Sequence, residues 1–179
     1  MKIIKLLFVL MVTQVTFGQL AQINWVTFEK AQELNKTEPK LFFFDIYTDW
    51  CGYCKKMDKE TFAHPQIAAY MNQHYYCIKF NAETVKDTIS LHGVEYNLSG
   101  MAGQRGAYHN FATFLNGGKR VSGYPSYSFL DSRLNVLSPI GGFIQGAQFE
   151  MIIKYFGDNN NRTSTWPDYQ KAFKNEFSF

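Results

Sequence analysis

The sequence predicts a single α/β domain. Its 179 residues are about the length of one ordinary domain, and 46% of them are hydrophobic and 17% aromatic, which is enough apolar material for a core. Segments with strand and helix character alternate along the chain, a pattern typical of a sheet covered by helices. The high aromatic content excludes an intrinsically disordered chain.

The first part of the chain predicts a short strand, a helix and a long strand. Residues 23–26 are the candidate first strand, and Phe28, Ala31 and Leu34 then share one helical face. Residues 41–48, LFFFDIYT, form an almost continuous apolar run. Such a run indicates a central strand that is covered on both faces.

The next elements are bounded by proline. Residues 51–62 have helical character, and a new helix begins at Pro65, since proline is favoured in the first turn of a helix. Residues 75–80, YYCIKF, then predict another buried strand.

From residue 81 to residue 123 the composition changes, because seven of the thirteen glycines lie there. A helical patch over residues 107–115 is the exception. Residues 126–131 and 135–143 predict two further strands.

Two helices are expected to end the chain. The first buries four apolar residues, Phe149, Ile152, Ile153 and Phe156. The second begins at Pro167 and carries Tyr169, Phe173 and Phe177 at steps of four.

The first eighteen residues have the order of a secretory signal peptide. Two lysines precede an apolar run over residues 6–12, and small residues follow it. A membrane-spanning helix needs about 20 apolar residues, and this run is shorter. A retained anchor is the alternative. We expect residues 1–18 to be removed and residues 19–179 to be periplasmic or secreted, where disulfides form.

The charge excludes one class of partner. The formal net charge is +3, and it falls to +1 without Lys2 and Lys5 of the signal peptide. That balance offers no basic surface for nucleic acid or for an acidic membrane. We therefore expect no nucleic acid partner.

Two of the three cysteines, Cys51 and Cys54, stand where a predicted strand passes into a helix. At this spacing two cysteines close a disulfide ring with little backbone movement. A helix N-terminus stabilises a thiolate, so we expect Cys51 to be exposed there as the nucleophile, with a pKa below the free value of about 8.5. Cys54, one turn further in, would resolve a mixed disulfide.

Two other interpretations of this pair remain open. Half of a zinc site has the same spacing, but zinc needs four ligands, and Cys77 and the four histidines form no second closely spaced pair. We expect no metal and no cofactor, and we expect the histidines at the surface or in loops. The other interpretation is a structural disulfide without a catalytic role. Cys77, in a buried strand, is expected to be a core residue.

The segment DIYTDWCGYCKKM, residues 45–57, resembles the active-site strand and helix of the thioredoxin superfamily. Residues 61–81 are similar to the secreted thioredoxin-like branch that includes the C-terminal domain of the bacterial transmembrane electron carrier. The resemblance implies the thioredoxin fold, a central mixed sheet flanked by helices. It fails over about residues 84–119, an insertion before the cis-proline strand, and over about residues 160–179, a C-terminal helical extension.

The resemblance also implies roles near the cysteines. Asp45 stands where thioredoxins keep a buried carboxylate, and Lys79 where they keep the lysine that pairs with it. Burial raises the pKa of a carboxyl group, so Asp45 is suited to accept the proton of Cys54 as that thiol attacks. Trp50 before the first cysteine is also thioredoxin-like, and the resemblance implies that Trp50 and Lys79 act with Asp45 in proton relay and redox tuning.

The proline that these proteins keep as a cis residue corresponds to Pro125. A cis bond there would expose the backbone of Tyr124 beside the cysteines, where an extended substrate segment would pair as an added strand. Tyr124 and Pro125 are therefore the expected substrate-binding residues.

The direction of electron flow stays open in the sequence. The Gly52-Tyr53 pair between the cysteines equals that of periplasmic disulfide isomerases, whereas Trp50 is thioredoxin-like. We predict a reductase of protein disulfides, monomeric and kept reduced by a membrane-bound electron donor. The alternatives are an isomerase, an oxidant, or a binding module whose disulfide is not catalytic.

Overall fold

The computed structural model of the protein describes residues 21–179, and the predicted signal peptide, residues 1–18, lies outside them. In chain order, the α-helices are α1 (Phe28–Asn35), α2 (Gly52–Met57), α3 (Pro65–His74), α4 (Phe111–Leu115), α5 (Gly146–Gly157) and α6 (Trp166–Ala172). The strands are β1 (Leu41–Tyr47), β2 (Tyr75–Asn81), β3 (Ile89–Leu91), β4 (Val94–Tyr96), β5 (Leu98–Ser99), β6 (Tyr108–His109), β7 (Ser126–Leu130) and β8 (Val136–Gly141). Within the described part of the chain, no helix is long and apolar enough to cross a bilayer.

A mixed four-stranded sheet in the order β2-β1-β7-β8 forms the centre of the fold. β1 runs parallel to β2, with Asp45 opposite Lys79. On its other side β1 runs antiparallel to β7, with Asp45 opposite Tyr127, and β8 pairs antiparallel with β7. The predicted α/β fold, a mixed central sheet flanked by helices, is confirmed.

Alternation along β1 gives the sheet two buried faces. Phe43 lies in one core cluster, which includes residues of α2, α3 and α5 and in which it packs 5.8 Å from the ring of Tyr127. Phe42 and Phe44 lie in the other cluster, with Phe28 of α1 and residues of α4. Because helices cover both faces, β1 is apolar at almost every position.

The prediction of a strand over residues 23–26 is wrong. Trp25 makes a single parallel bridge to Cys77 of β2 and no ladder follows. The reason is local, since the side chain of Thr27 accepts the backbone N–H of Lys30 and caps α1, which begins at Phe28. The chain therefore turns into a helix before it can extend along β2.

The helix after Cys51 has two parts. α2 passes at Asp58 into a turn of π-helix, Asp58–Phe62, which ends before Pro65 begins α3 as predicted. Thr61 of this turn is buried, and its hydroxyl donates to the backbone oxygen of Ile144 at 2.8 Å. This bond ties the helix that carries the cysteines to the end of the sheet.

The connecting segment, residues 82–125, joins β2 to β7 and includes the predicted insertion. It holds two small antiparallel pairs, β3 with β4 and β5 with β6, and the short helix α4. His92 and Gly93 have positive φ values of 52° and 77° at the turn between β3 and β4. A left-handed pair of residues is what a tight hairpin turn requires.

His109 of the connecting segment is buried, which contradicts the expectation that the histidines lie at the surface or in loops. The N–H of Phe111 donates to its Nδ1 at 3.2 Å, and its Nε2 lies 3.0 Å from the backbone oxygen of Asp87. Burial lowers the pKa of His109. The neutral ring satisfies both contacts, which makes His109 a core residue.

The last helix is shorter than predicted. Thr165 caps α6, which begins at Trp166 and ends at Ala172, because Phe173 already has an extended conformation. Phe177 is therefore not on the helix but in an extended tail, where it packs 6.2 Å from the ring of Tyr70 on α3.

Glu150 of α5 holds this tail in place. Its buried carboxylate accepts the backbone N–H groups of Glu176 and Phe177 at 2.8 and 3.2 Å and the side-chain amide of Asn175 at 2.7 Å. Lys154 lies 3.5 Å from the same carboxylate and also pairs with Glu176. The tail is thus part of the folded domain.

We expect Glu150→Ala to lower the free energy of unfolding by about 2–4 kcal/mol, because it leaves partly buried N–H groups of the tail and part of the charge of the buried Lys154 without partners. Urea titration measures the loss. Glu33→Ala is the matched control, since Glu33 forms an exposed pair with Lys30 on α1 and should barely change the midpoint. Equal losses in the two variants would contradict the role given to Glu150.

Candidate functional site

A disulfide between Cys51 and Cys54 lies at the N-terminus of α2, with an S–S distance of 2.03 Å. Cys51 is the N-cap residue, and its Sγ accepts the backbone N–H of Cys54 at 3.0 Å. The N–H of Cys51 in turn donates to the oxygen of Thr48 at 3.1 Å. The amide of Cys54 in the first turn of the helix thus points at the sulfur of Cys51, an arrangement that favours a thiolate.

Cys51 is less exposed than the sequence predicts. Only 4% of its surface is accessible, about the same as the 3% of Cys54. The bond to Cys54 and the contact with the Cys54 N–H both turn the sulfur of Cys51 toward the helix. The expectation of an exposed Cys51 is therefore wrong for the disulfide form, and the neighbouring Trp50 and Tyr53 carry the exposed surface instead.

Asp45 lies in the middle of β1 and is 1% exposed. One of its oxygens accepts from Lys79 Nζ at 3.1 Å, as the resemblance implied. The other, Oδ1, has no hydrogen-bond partner among residues 21–179. Burial raises the pKa of Asp45 to about 6, although the charge of Lys79 opposes this shift.

Lys79 connects the buried carboxylate to the surface. Its Nζ also lies 2.5 Å from Oδ1 of Asp58, which is partly exposed. Burial alone would lower the pKa of Lys79, but the charges of Asp45 and Asp58 together outweigh it and raise that pKa. The ammonium also lies over the rings of Trp25 and Tyr47, at 4.9 and 5.2 Å.

Two residues beside Asp45 were missed in the sequence. Asp58 follows Cys54 by four positions, so the helical period that places both on one face was a usable signal. Tyr127 lies opposite Asp45 in the register of β1 and β7, and its buried hydroxyl has no partner in the described residues. That contact depends on strand register, which no motif in the sequence indicates.

Trp50 links the disulfide region to the connecting segment. Its indole N–H donates to Oε2 of Glu83 at 2.8 Å, and its ring packs edge-on to Tyr124 at 5.9 Å. The Tyr124–Pro125 peptide bond is cis, as the resemblance implied. The structure thus brings Trp50 and Tyr124 together beside the cysteines, and Glu83 is a third residue that the sequence analysis did not single out.

A family model described as a thioredoxin-like domain matches residues 27–157. The chain belongs to this thioredoxin-like family. The match covers the sheet, both cysteines and the connecting segment, and it confirms the resemblance seen in the sequence. The family is one of thiol–disulfide oxidoreductases, and Cys51 and Cys54 form its CxxC pair.

Known proteins of this family are similar to the chain over limited lengths. The thiol:disulfide interchange protein DsbD of Tatumella citrea is 27% identical over 120 residues, which are 66% of this chain and 17% of that protein. A thioredoxin of Thermus thermophilus has a TM-score of 0.54 and 14% identity, and it covers 83% of this chain and 99% of its own. The DsbH oxidoreductase has a TM-score of 0.52 and 19% identity, with 80% and 90% covered. The two solved structures support the thioredoxin fold.

The third cysteine lies away from this chemistry. Cys77 is buried in β2 and unpaired, and burial raises the pKa of its thiol. This is the environment expected of a core cysteine. In the part of the chain that the structure covers, no group of three or more His, Cys, Asp or Glu residues is arranged to hold a metal ion.

The raised pKa of Asp45 predicts how Asp45→Asn depends on pH. The folded carboxyl keeps its proton up to about pH 6 and the unfolded one up to about pH 4, so its stabilising contribution is full below about pH 4 and is lost as the pH rises through 6. Asp45→Asn does not titrate. The difference in unfolding free energy between Asp45→Asn and wild type should therefore shift in favour of the variant by about 3 kcal/mol from about pH 4 to about pH 7.5. Urea titration of the oxidised proteins at both pH values measures this shift.

Asp131→Asn is the control with the opposite sign. Although partial burial opposes it, hydrogen bonds from Asn135 and Arg133 lower the pKa of Asp131. Its contribution is therefore present at neutral pH and lost in acid, so Asp131→Asn should lose stability relative to wild type as the pH rises. A stability difference between Asp45→Asn and wild type that does not change with pH would contradict the raised pKa.

Proposed function

We propose that this protein is a thiol–disulfide oxidoreductase that reduces protein disulfides, with Cys51 as the attacking thiol and Cys54 as the resolving thiol. The observation that carries the proposal is the disulfide at the N-terminus of α2, at the end of the strand in which Asp45 is buried. A structural disulfide needs neither the aligned amides nor the buried carboxylate.

The reaction transfers two electrons. In the reduced protein the Cys51 thiolate attacks one sulfur of the substrate disulfide and forms a mixed disulfide, and the other substrate sulfur leaves as a thiolate. Cys54 then loses its proton and attacks the sulfur of Cys51, which releases the second substrate thiol and closes the Cys51–Cys54 disulfide. The dithiol is oxidised and the substrate disulfide is reduced.

Asp45 is the proposed acceptor of the Cys54 proton. A carboxyl group with a pKa of about 6 exchanges protons readily near neutral pH. Lys79 and Asp58 continue from Asp45 toward solvent through contacts of 3.1 and 2.5 Å, which gives the proton an exit. Trp50, Tyr124 and Pro125 are the proposed contacts for the substrate backbone.

The proposed direction is reduction of the substrate. A strong oxidant needs a very acidic first thiol, which stabilises its reduced form. Gly52 and Tyr53 place no side-chain cation between the cysteines, and Lys56 is exposed, 3.8 Å from Glu60. The helix N-terminus is then the main stabiliser of the Cys51 thiolate, which suits a reductase better than an oxidant.

Reductase turnover requires a dithiol donor that returns electrons to the Cys51–Cys54 disulfide. We propose a membrane-bound donor, a proposal supported by the resemblance of residues 61–81 to the secreted branch that includes the C-terminal domain of the bacterial transmembrane electron carrier. The signal-peptide order of residues 1–18 supports a periplasmic or secreted site of action. We also propose that the protein works as a monomer.

Cys54→Ser tests the assignment of roles. In the reduced variant Cys51 attacks but nothing resolves the product, so we expect a stable mixed disulfide with a protein substrate such as insulin, seen by mass spectrometry under non-reducing conditions. Cys51→Ser should form none. Cys77→Ala is the control, and because Cys77 is buried away from the pair it should turn over insulin as wild type does.

Alkylation of the reduced wild-type protein near neutral pH is the second readout. Cys51 should react much faster than Cys54 or Cys77, since it has the stabilised thiolate. Preferential modification of Cys54 would reverse the roles. Failure of the wild-type protein to exchange with any disulfide would instead favour the alternative function, a binding module with a non-catalytic disulfide.

A further inference from the structure

The connecting segment is fastened to the active site at Glu83. The backbone N–H of Gly106 donates to Oε1 of this buried carboxylate at 2.9 Å, while Trp50 occupies Oε2. The N–H of Gly103 donates to the backbone oxygen of Glu83, also at 2.9 Å. Residues 103–106 are thereby held beside the tryptophan that precedes Cys51.

This attachment places Arg105 over Trp50. Its guanidinium carbon lies 4.6 Å from the centre of the indole ring, the position of a cation–π contact. Arg105 is exposed and forms no ion pair within residues 21–179. The charge of Arg105 is therefore oriented by a ring at the active site and is available to a partner.

A second arginine lies close to the same surface. The guanidinium of Arg120 lies 4.0 Å from the ring centre of Tyr108. Burial raises the pKa of the Tyr124 hydroxyl, and the positive charge of Arg120 opposes this rise. Arg120 is exposed, and it too has no carboxylate at ion-pair distance in the described chain.

The acidic residues nearby are already engaged. Both oxygens of Glu83 accept hydrogen bonds, from Trp50 and from Gly106. Asp49, the residue before Trp50, accepts from the side-chain amide of Asn81 at 2.8 Å. Because neither guanidinium has a carboxylate oxygen at ion-pair distance within residues 21–179, both can form an ion pair with a substrate that approaches Trp50 and Tyr124.

We propose that Arg105 and Arg120 select protein disulfides that carry Asp or Glu beside the substrate cysteine. The proposal rests on the proposed function, since it names the substrate class of that site. A guanidinium already held against a ring loses little conformational entropy on binding, and its planar fork offers two parallel donors to a carboxylate. The apolar surface of Trp50 contacts the substrate chain, and the arginines read its charge.

The test compares two peptides that differ only in having Glu or Gln on both sides of one cysteine. Each peptide is joined by a disulfide to the same neutral thiol. Reduced protein passes two electrons and two protons to this bond, which yields the peptide thiol, the neutral thiol and the Cys51–Cys54 disulfide. Rates with dithiothreitol, a neutral reductant, correct for the intrinsic reactivity of the two peptides.

We expect wild type to prefer the Glu peptide in kcat/KM by about two- to fivefold at low salt, the size typical of exposed charge pairs. High salt should reduce this preference. In the double variant Arg105→Gln, Arg120→Gln the ratio should fall to about one. Arg105→Lys should lie between, because it keeps the charge and loses the planar fork.

Arg133→Gln is the matched control. Arg133 is exposed in the turn between β7 and β8, at the end of the sheet opposite the cysteines, and its loss removes one of the two unit charges that the double variant loses. It should keep the wild-type ratio. A ratio of one in wild type, or a double variant that keeps the wild-type ratio, would overturn this inference. As long as the protein exchanges with the Gln peptide, either result leaves the proposed function standing. Absence of exchange with both peptides would overturn the proposed function itself.

Discussion

A carboxylate lies in the middle of β1, a strand that is otherwise apolar and aromatic, and the disulfide site is arranged around it. Asp45 has Phe44 and Ile46 on either side in β1, and a charge in such a place is costly unless it is paired or protonated. The parallel register of β1 and β2 supplies Lys79 directly opposite. Burial still dominates and raises the pKa of Asp45 to about 6. The burial that makes a charge on Asp45 costly therefore also gives the site a group that can exchange protons near neutral pH.

The disulfide site extends beyond the cysteines in two directions. Toward solvent, Lys79 joins Asp45 to Asp58 on the helix that carries Cys54. Toward the connecting segment, Trp50 joins the cysteines to Glu83. The two links contain buried carboxylates in different states. Asp45 lacks a hydrogen-bond partner for one oxygen, whereas both oxygens of Glu83 accept hydrogen bonds. Asp45 is thus free to change its protonation, and Glu83 is a fixed anchor.

Local patterns in the sequence predicted the elements that depend on local chemistry. The apolar run of β1, the proline that begins α3 and the position of Cys51 at a helix N-terminus are all read from a few adjacent residues. Lys79 was found only through the resemblance. The errors have two kinds of cause. The cap at Thr27 ends the extended segment at Trp25, and the bond to Cys54 buries Cys51, and both are local contacts that no motif indicates. The buried His109 and the extended tail after α6 depend instead on contacts with distant segments, through Asp87 and Glu150.

The reduction potential of the Cys51–Cys54 pair most directly tests whether this site is a reductant. The disulfide is equilibrated with glutathione and dithiothreitol buffers of known potential, and the reduced fraction is counted by alkylation and mass spectrometry. Because the helix N-terminus is the main stabiliser of the Cys51 thiolate, we expect a potential well below about −180 mV. A value near about −120 mV, that of a strong periplasmic oxidant, would contradict the proposed direction.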